Sequence, residues 1–268
     1  MAVSFPIKDS YTLDDLRRIV TILRAPDGCP WDREQTHQTL LTDLLEETYE
    51  ALDAIRREDV ADMREELGDV LLQLVFHSDI ERERGTFTFD EVITDICRKL
   101  IVRHPHVFGD VRADTSGEVL QNWDAIKRQT KGDASRADLL RSLPASMPAL
   151  MRAAKVQKRA RRAGFDWPDV SGAWQALESE TRELEQAMRD GDSAAVEEEL
   201  GDLLFSAVNV SRFLSVDAEQ ALTGATEKFI SRFEQMERLA GEKGVDMGAA
   251  SLEQLDALWD EVKLRSRA

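Results

Sequence analysis

The sequence contains one helical unit twice. The segment EELGDVLLQLVF at 65–76 returns as EELGDLLFSAVN at 198–209, a displacement of 133 residues. Four acids share that displacement: Glu47, Glu50, Glu66 and Asp69 correspond to Glu180, Glu183, Glu199 and Asp202. Because an internal repeat is one structural unit used more than once, the sequence predicts two similar units in tandem.

The acids of each copy are spaced for a metal site. Both members of each pair lie on one face of a helix, because residues three apart are neighbours there. The stretch Leu67 to Phe76 is apolar almost all round, so we expect a helix buried on every side. Carboxylates in such surroundings need a cation or must take up protons. Four carboxylates from two facing helices predict a site for Mg²⁺, with Mn²⁺ as a possible substitute.

A solvated acidic face is the ordinary explanation of acid pairs on a helix. It does not explain why basic and aromatic residues repeat along with the acids. These partners are Lys99, Arg103, Trp123 and Lys127 in the first copy, and Lys228, Arg232, Trp259 and Lys263 in the second. A metal ion with Lys and Arg side chains around it suits a polyphosphate. The tryptophans could stack on a base, although buried aromatic residues more often serve packing.

These residues carry a family resemblance. The run Glu46, Glu47 and Glu50, followed by Glu66 and Asp69, resembles the motif of the MazG family of all-α nucleoside triphosphate pyrophosphohydrolases. The segments CPWDREQTH at 29–37, KLIVRHPHVFGD at 99–110 and SLPASMPALMRAAKVQKRARRAGFDW at 142–167 extend the resemblance over nearly the whole chain.

The resemblance implies a function and a set of residue roles. It implies Mg²⁺-dependent hydrolysis of ribo- and deoxyribonucleoside triphosphates to monophosphates and diphosphate by a homodimer, and suggests house-cleaning of non-standard nucleotides. The four acids of each copy would hold the metal, with Glu66 and Glu199 also counted as catalytic, and Glu46 would be an outer-sphere acid or base. Ser179 departs from the motif at the place of Glu46, and Ala195 stands where some relatives carry Lys.

Two alternatives stay open from the sequence. Either copy could be the working one, and the intact EExxE run favours the first. The chain could also be a non-catalytic helical module that binds a metal or nucleotide and regulates something else, since such a module needs the same repeated residues.

Composition limits the partners. A formal charge of −17 opposes binding to nucleic acid or an anionic membrane, and no apolar run approaches the ~20 residues of a membrane helix. Two cysteines form no disulfide framework, so we expect a cytoplasmic protein. Because strand patterns are scarce, we predict two all-α helical bundles: residues 1–127, a linker at 128–147, and residues 148–268.

Overall fold

The computed structural model describes residues 5–112, 115, 117–119 and 135–265. Within these ranges the regular structure is entirely helical, which confirms the predicted all-α class. The chain divides between residues 132 and 133 into two compact units. Each unit is built around a hairpin of two long helices.

The first unit begins with a well-capped helix that packs on the hairpin. Its helices are α1 (Leu13–Arg24), α2 (Pro30–Glu34), α3 (Leu41–Arg56), α4 (Val60–Arg84), α5 (Phe89–Arg103) and α6 (Pro105–Phe108). Thr12 and Asp15 form a capping box at the start of α1. Helices α3 and α4 pack along each other as the hairpin, and α1 packs on α4. The core joins Val20 of α1 to Val75, Phe76 and Ile80 of α4.

The second unit repeats this arrangement. Its helices are α7 (Arg136–Arg141), α8 (Ala149–Arg162), α9 (Val170–Asp190), α10 (Ser193–Phe213), α11 (Ala218–Lys243) and α12 (Leu252–Arg265). Helices α9 and α10 form the hairpin, and α8 packs on α10 and α11. A separate core lies between α11 and α12, where Met236, Leu239, Leu258 and Val262 are buried.

Part of the predicted linker is packed structure. Helix α7 lies within residues 128–147 and contacts α8. Arg159 of α8 donates hydrogen bonds to the carbonyl of Leu139 and the hydroxyl of Ser142, and Leu143 is buried. The domain limits stay a prediction, but the second unit includes residues that we had assigned to the linker.

The prediction that Leu67 to Phe76 is buried on every side is wrong for a single chain. Val75 and Phe76 are buried, whereas Leu67 and Leu74 are about half exposed. Helix α5 has no buried residue. An apolar pattern shows that a surface is suited to burial, but it does not show that the same chain provides the cover.

Candidate metal and phosphate site

The hairpin turns of the two units have the same backbone geometry at equivalent positions. Glu58 and Gly191, which are 133 residues apart, both have positive φ, at 55° and 72°. The next residues, Asp59 and Asp192, cap the following helices: each side chain accepts hydrogen bonds from the two backbone N–H groups that lie two and three residues further on. Positions 133 residues apart are therefore equivalent in structure as well as in sequence.

Each hairpin brings three carboxylates together. In the first unit, oxygens of Glu47, Glu66 and Asp69 all lie within 4.8 Å of one another. In the second unit, oxygens of Glu180, Glu199 and Asp202 meet the same condition. Helix α3 or α9 supplies one acid of each triple, and α4 or α10 supplies two. These are the only such groups of three among the residues that the structure describes.

The spacing of the oxygens suits a small divalent cation. Mg²⁺ binds oxygen ligands at about 2.0–2.1 Å in an octahedron, so two ligand oxygens lie about 3–4 Å apart. Separations of up to 4.8 Å need only small side-chain movements to reach that geometry. An all-carboxylate donor set favours Mg²⁺ or Mn²⁺ over softer metals. The residues present therefore fit a divalent cation in both units.

Burial, together with repulsion between neighbouring carboxylates, disfavours negative charge at both triples. Burial, followed by the charges of Asp69 and Glu50, raises the pKa of Glu47. Burial and the charge of Glu50 likewise raise the pKa of Glu66. A raised pKa means that the ionised carboxylate is disfavoured where it stands, and a bound cation would reverse that effect.

The second triple shows the same effect. Burial and the charge of Glu183 raise the pKa values of both Glu180 and Glu199. Glu50 and Glu183 thus lie close enough to act on the triples, although neither belongs to one. Glu46, the remaining predicted acid of the first unit, lies on α3 with an exposed side chain.

Two of the predicted basic residues of the first unit lie on α5, the helix that follows the hairpin. Helix α5 enters the core through Phe89, its first residue. Lys99 lies ten residues further on, about 15 Å along a helix, and is exposed. Arg103 ends the same helix, which packs on α4 and α6. Trp123 and Lys127 lie outside the described residues.

The equivalent residues of the second unit are divided between surface and core. Lys228 and Arg232 lie on α11, where Lys228 is exposed and Arg232 half-buried. Trp259 packs on Phe229, with ring centroids 5.0 Å apart, and against the core of α11 and α12. Lys263 pairs with Asp260 at 2.7 Å. Trp259 thus serves packing here, and its stacking on a base stays a prediction.

A cavity that the sequence did not reveal adjoins the first triple. It has a volume of about 430 Å³ and is lined by Tyr49, Glu50, Asp53, Arg57, Asp62 and Glu66. Arg57 pairs there with Asp53 at 2.8 Å and with Asp62. No short motif in the sequence marks Tyr49 or Arg57 as residues that line a cavity.

Two histidines of the first unit are in contact, a feature that no sequence pattern indicated. His37 Nδ1 lies 2.7 Å from His77 Nδ1, and His37 Nε2 lies 2.6 Å from Glu81. Hydrogen bonds from Thr86 and His37 lower the pKa of Glu81 to about 2. At the equivalent positions of the second unit stand Val170, Val210 and Leu214, all of which line a cavity of about 540 Å³. The two units therefore differ at this end of the hairpin.

Comparison with known proteins agrees with the duplicated site. A family model described as the MazG nucleotide pyrophosphohydrolase domain matches residues 35–108 and again residues 171–236. The chain belongs to the MazG family. Each match includes the four repeated acids of one unit, so both MazG domains of this chain carry the carboxylate hairpin.

Two of the relatives match this chain over nearly their whole length, and a third matches over about half of this chain. The chain is 46% identical over 250 residues to a Thermotoga maritima protein named nucleoside triphosphate pyrophosphohydrolase/pyrophosphatase MazG, covering 93% of this chain and 95% of that protein. It is 45% identical over 256 residues to an Escherichia coli nucleoside triphosphate pyrophosphohydrolase, covering 94% and 97%. A Mycobacterium tuberculosis protein of the same name is 43% identical over 138 residues, which are 51% of this chain and 41% of that protein.

Across the described part of the chain, no helix combines the length and apolar character needed to cross a bilayer.

Proposed function

We propose that this protein is a metal-dependent nucleoside triphosphate pyrophosphohydrolase that converts a nucleoside triphosphate and water to a monophosphate and diphosphate. One observation carries the proposal: two hairpins of a MazG-family chain each hold three carboxylates within 4.8 Å at equivalent positions. The names of the Thermotoga and Escherichia relatives support the same reaction.

The acids would hold the metal, and Mg²⁺ is the cation that we assign. Glu47, Glu50, Glu66 and Asp69 would bind it in the first unit, with the four equivalent acids in the second. When bound, such an ion lowers the pKa of a water molecule and neutralises phosphate oxygens. Glu46 is close enough to the first triple for its charge to raise the pKa of Glu47, so we assign it the role of proton acceptor for the attacking water.

The basic residues would offset the charge that develops on the leaving diphosphate. In one chain, α5 packs on α4 and α6. A second copy that covers the exposed apolar faces of α4 and α5 would bury Leu67, Leu74 and Leu100, which are each about half exposed. We therefore include a homodimer in the proposal, with Lys99 and Arg103 acting on a substrate held at an adjacent hairpin. The cytoplasmic location and the house-cleaning role remain predictions.

The decisive experiment is diphosphate release from a panel of ribo- and deoxyribonucleoside triphosphates with Mg²⁺. Wild type should release diphosphate steadily, and EDTA should stop the release. Glu66→Ala and Glu199→Ala should identify the working unit, because each removes a carboxylate from one triple. Glu65→Ala and Glu198→Ala are matched controls: each changes the neighbouring acid on the same helix, which lies outside the triple.

Each result separates the proposal from its rival. If only one of Glu66→Ala and Glu199→Ala loses activity, the unit that carries that substitution is the catalytic one. If both lose activity, the two sites are coupled. If wild type binds Mn²⁺ and nucleotide but releases no diphosphate from any substrate, the enzyme proposal is wrong and the non-catalytic binding module stands. If Glu46→Gln retains full turnover, Glu46 is not the proton acceptor.

A further inference from the structure

In the second unit, the hydroxyl of Ser179 donates a hydrogen bond of 2.8 Å to Oε1 of Glu183. Ser179 occupies the position that Glu46 has in the first unit, where the family motif begins with an acid. We propose that Ser179 is a positioning residue, which holds the carboxylate of Glu183 at the second metal site. The inference rests on the proposed function, because it requires a metal ion at that site.

The geometry places the hydroxyl and the carboxylate on one face of α9. Residues four apart on a helix are neighbours, and the first acid of the second triple, Glu180, is adjacent to Ser179 in sequence. Ser179 is half-buried, whereas Glu183 is exposed. Glu183 is three residues from Glu180 on the same helix, so the two side chains lie on one face and Glu183 is a neighbour of the triple without being part of it.

An exposed glutamate has many rotamers, and a metal ion must select one of them. Ordering such a side chain on binding costs conformational entropy. A hydrogen bond that already restrains Glu183 removes part of that cost before the metal arrives.

The first unit cannot use the same device. An ionised carboxylate only accepts hydrogen bonds, so Glu46 cannot donate to Glu50 as Ser179 donates to Glu183. Glu46 instead adds a negative charge, which is one of the charges that raise the pKa of Glu47. At this position the second unit therefore has a hydrogen-bond donor, Ser179, where the motif has an acid. In the second unit this position adds no negative charge, and its hydroxyl restrains Glu183.

Mn²⁺ titration followed by electron paramagnetic resonance tests this role without any substrate. The full-length Glu66→Ala variant, in which the first triple is incomplete, provides the background. On that background Ser179→Ala should weaken Mn²⁺ binding about three- to ten-fold, the range expected from losing one ordinary hydrogen bond. Ser179→Thr, which keeps the hydroxyl, should stay within about two-fold of the background.

Thr181→Ala is the matched control. Its hydroxyl lies on the same helix and donates to the carbonyl of Leu177 at 2.8 Å instead of to an acid. Loss of a helix-surface hydroxyl alone should leave Mn²⁺ affinity unchanged.

The outcomes distinguish the two proposals. If Ser179→Ala and Thr181→Ala bind Mn²⁺ equally well, or if Ser179→Thr is as weak as Ser179→Ala, the positioning role is wrong. If Glu183→Gln on the Glu66→Ala background binds Mn²⁺ as tightly as Glu66→Ala alone, Glu183 is not a ligand. The positioning role of Ser179 is then wrong as well. If the background binds no Mn²⁺, the second metal site itself is disproved. The expected Mn²⁺ pattern without diphosphate release would support Ser179 while refuting the enzyme.

Discussion

Arg24 donates two hydrogen bonds to the carboxylate of Glu83, from Nε at 3.0 Å and from Nη2 at 2.9 Å. Its Nη1 donates to the backbone carbonyls of Asp32 and Gln35 at 2.8 and 3.1 Å. The guanidinium side chain is only 5% exposed. One buried cation therefore joins α1, α2 with the residue that follows it, and the end of α4, and it fixes the base of the hairpin that carries the first triple.

Replacing this cation should destabilise the first unit. Breaking a buried ion pair costs about 3–5 kcal/mol, but Glu83 is 37% exposed, so we expect Arg24→Met to lose about 2 kcal/mol after allowing for solvent screening. Urea unfolding of the full chain measures the change. Arg17→Met is the control, because Arg17 pairs with the exposed Asp90 at 2.8 Å and should lose under about 1 kcal/mol. Equal losses in both variants would contradict the structural role of Arg24.

Removing one acid of the first triple should stabilise the metal-free protein. Burial and neighbouring carboxylates raise the pKa of Glu66 above its usual value. A raised carboxyl pKa contributes stability below the unfolded-state pKa, and this contribution is lost as the pH rises through the folded-state pKa. At neutral pH the ionised form is therefore unfavourable, and Glu66→Gln should raise the thermal midpoint measured in EDTA.

The same variant should respond less to metal. A ligand that binds only the folded protein stabilises it, so Mg²⁺ should raise the midpoint of wild type more than that of Glu66→Gln. Thermal unfolding with EDTA and with Mg²⁺ gives both comparisons. An equal Mg²⁺ response of the two proteins would mean that Glu66 is not a ligand.

The histidine contact predicts a loss of stability in mild acid. Burial, and then the nearby His37, lower the pKa of His77 below its usual 6.5. A lowered histidine pKa means that the unfolded chain takes up a proton first as the pH falls, so stability is complete above about pH 6.5 and declines below it. Glu81 remains ionised through this window, because its pKa is about 2. Urea midpoints of wild type should fall between pH 7 and pH 5.

His77→Gln tests this assignment, since glutamine is polar but does not titrate. The slope of urea midpoint against pH should be smaller in His77→Gln than in wild type over the same window. The second unit has Val210 at the equivalent position, so Val210→Gln is a control that should leave the slope unchanged. An identical slope in His77→Gln and wild type would assign the pH dependence to other groups.

The acid triples could be predicted from sequence because they depend on local geometry. The i, i+3 spacing places Glu66 and Asp69 together on any helix, and the short turn at Glu58 and Asp59 returns the chain so that Glu47 meets them. The contact between His37 and His77 joins residues 40 positions apart. No helical period relates these residues, because one lies before the hairpin and the other within it.

Burial was harder to predict than secondary structure. The apolar surfaces of Leu67 and Leu74 are suited to a core, but a sequence pattern does not distinguish cover by the same chain from cover by a second copy. Lys99 illustrates the same limit. The direction in which α5 leaves the core at Phe89 depends on tertiary packing, so no local pattern shows where Lys99 lies.

The last prediction concerns the two hairpin turns. Both turns need a residue in the left-handed backbone conformation, and they use different residue types for it. Glu58 has φ +55° and the equivalent Gly191 has φ +72°. Left-handed backbone costs a residue with a side chain about 1–2 kcal/mol, whereas glycine adopts it freely. Glycine also has more freedom to lose from the unfolded chain. Glu58→Gly should therefore gain about 0.5–1 kcal/mol of stability, and Gly191→Ala should lose about 1 kcal/mol.

Urea unfolding of both variants beside wild type checks the pair. Nothing lies within 4 Å of a Cβ added at Gly191, so a loss in Gly191→Ala would come from the backbone and not from a steric clash. Glu65→Gly, placed inside α4 at an exposed position, is the control: a glycine in a helix interior should lose about 1 kcal/mol. If Glu58→Gly is destabilised as much as Glu65→Gly, the turn gains nothing from glycine, and the positive φ of Glu58 carries no strain.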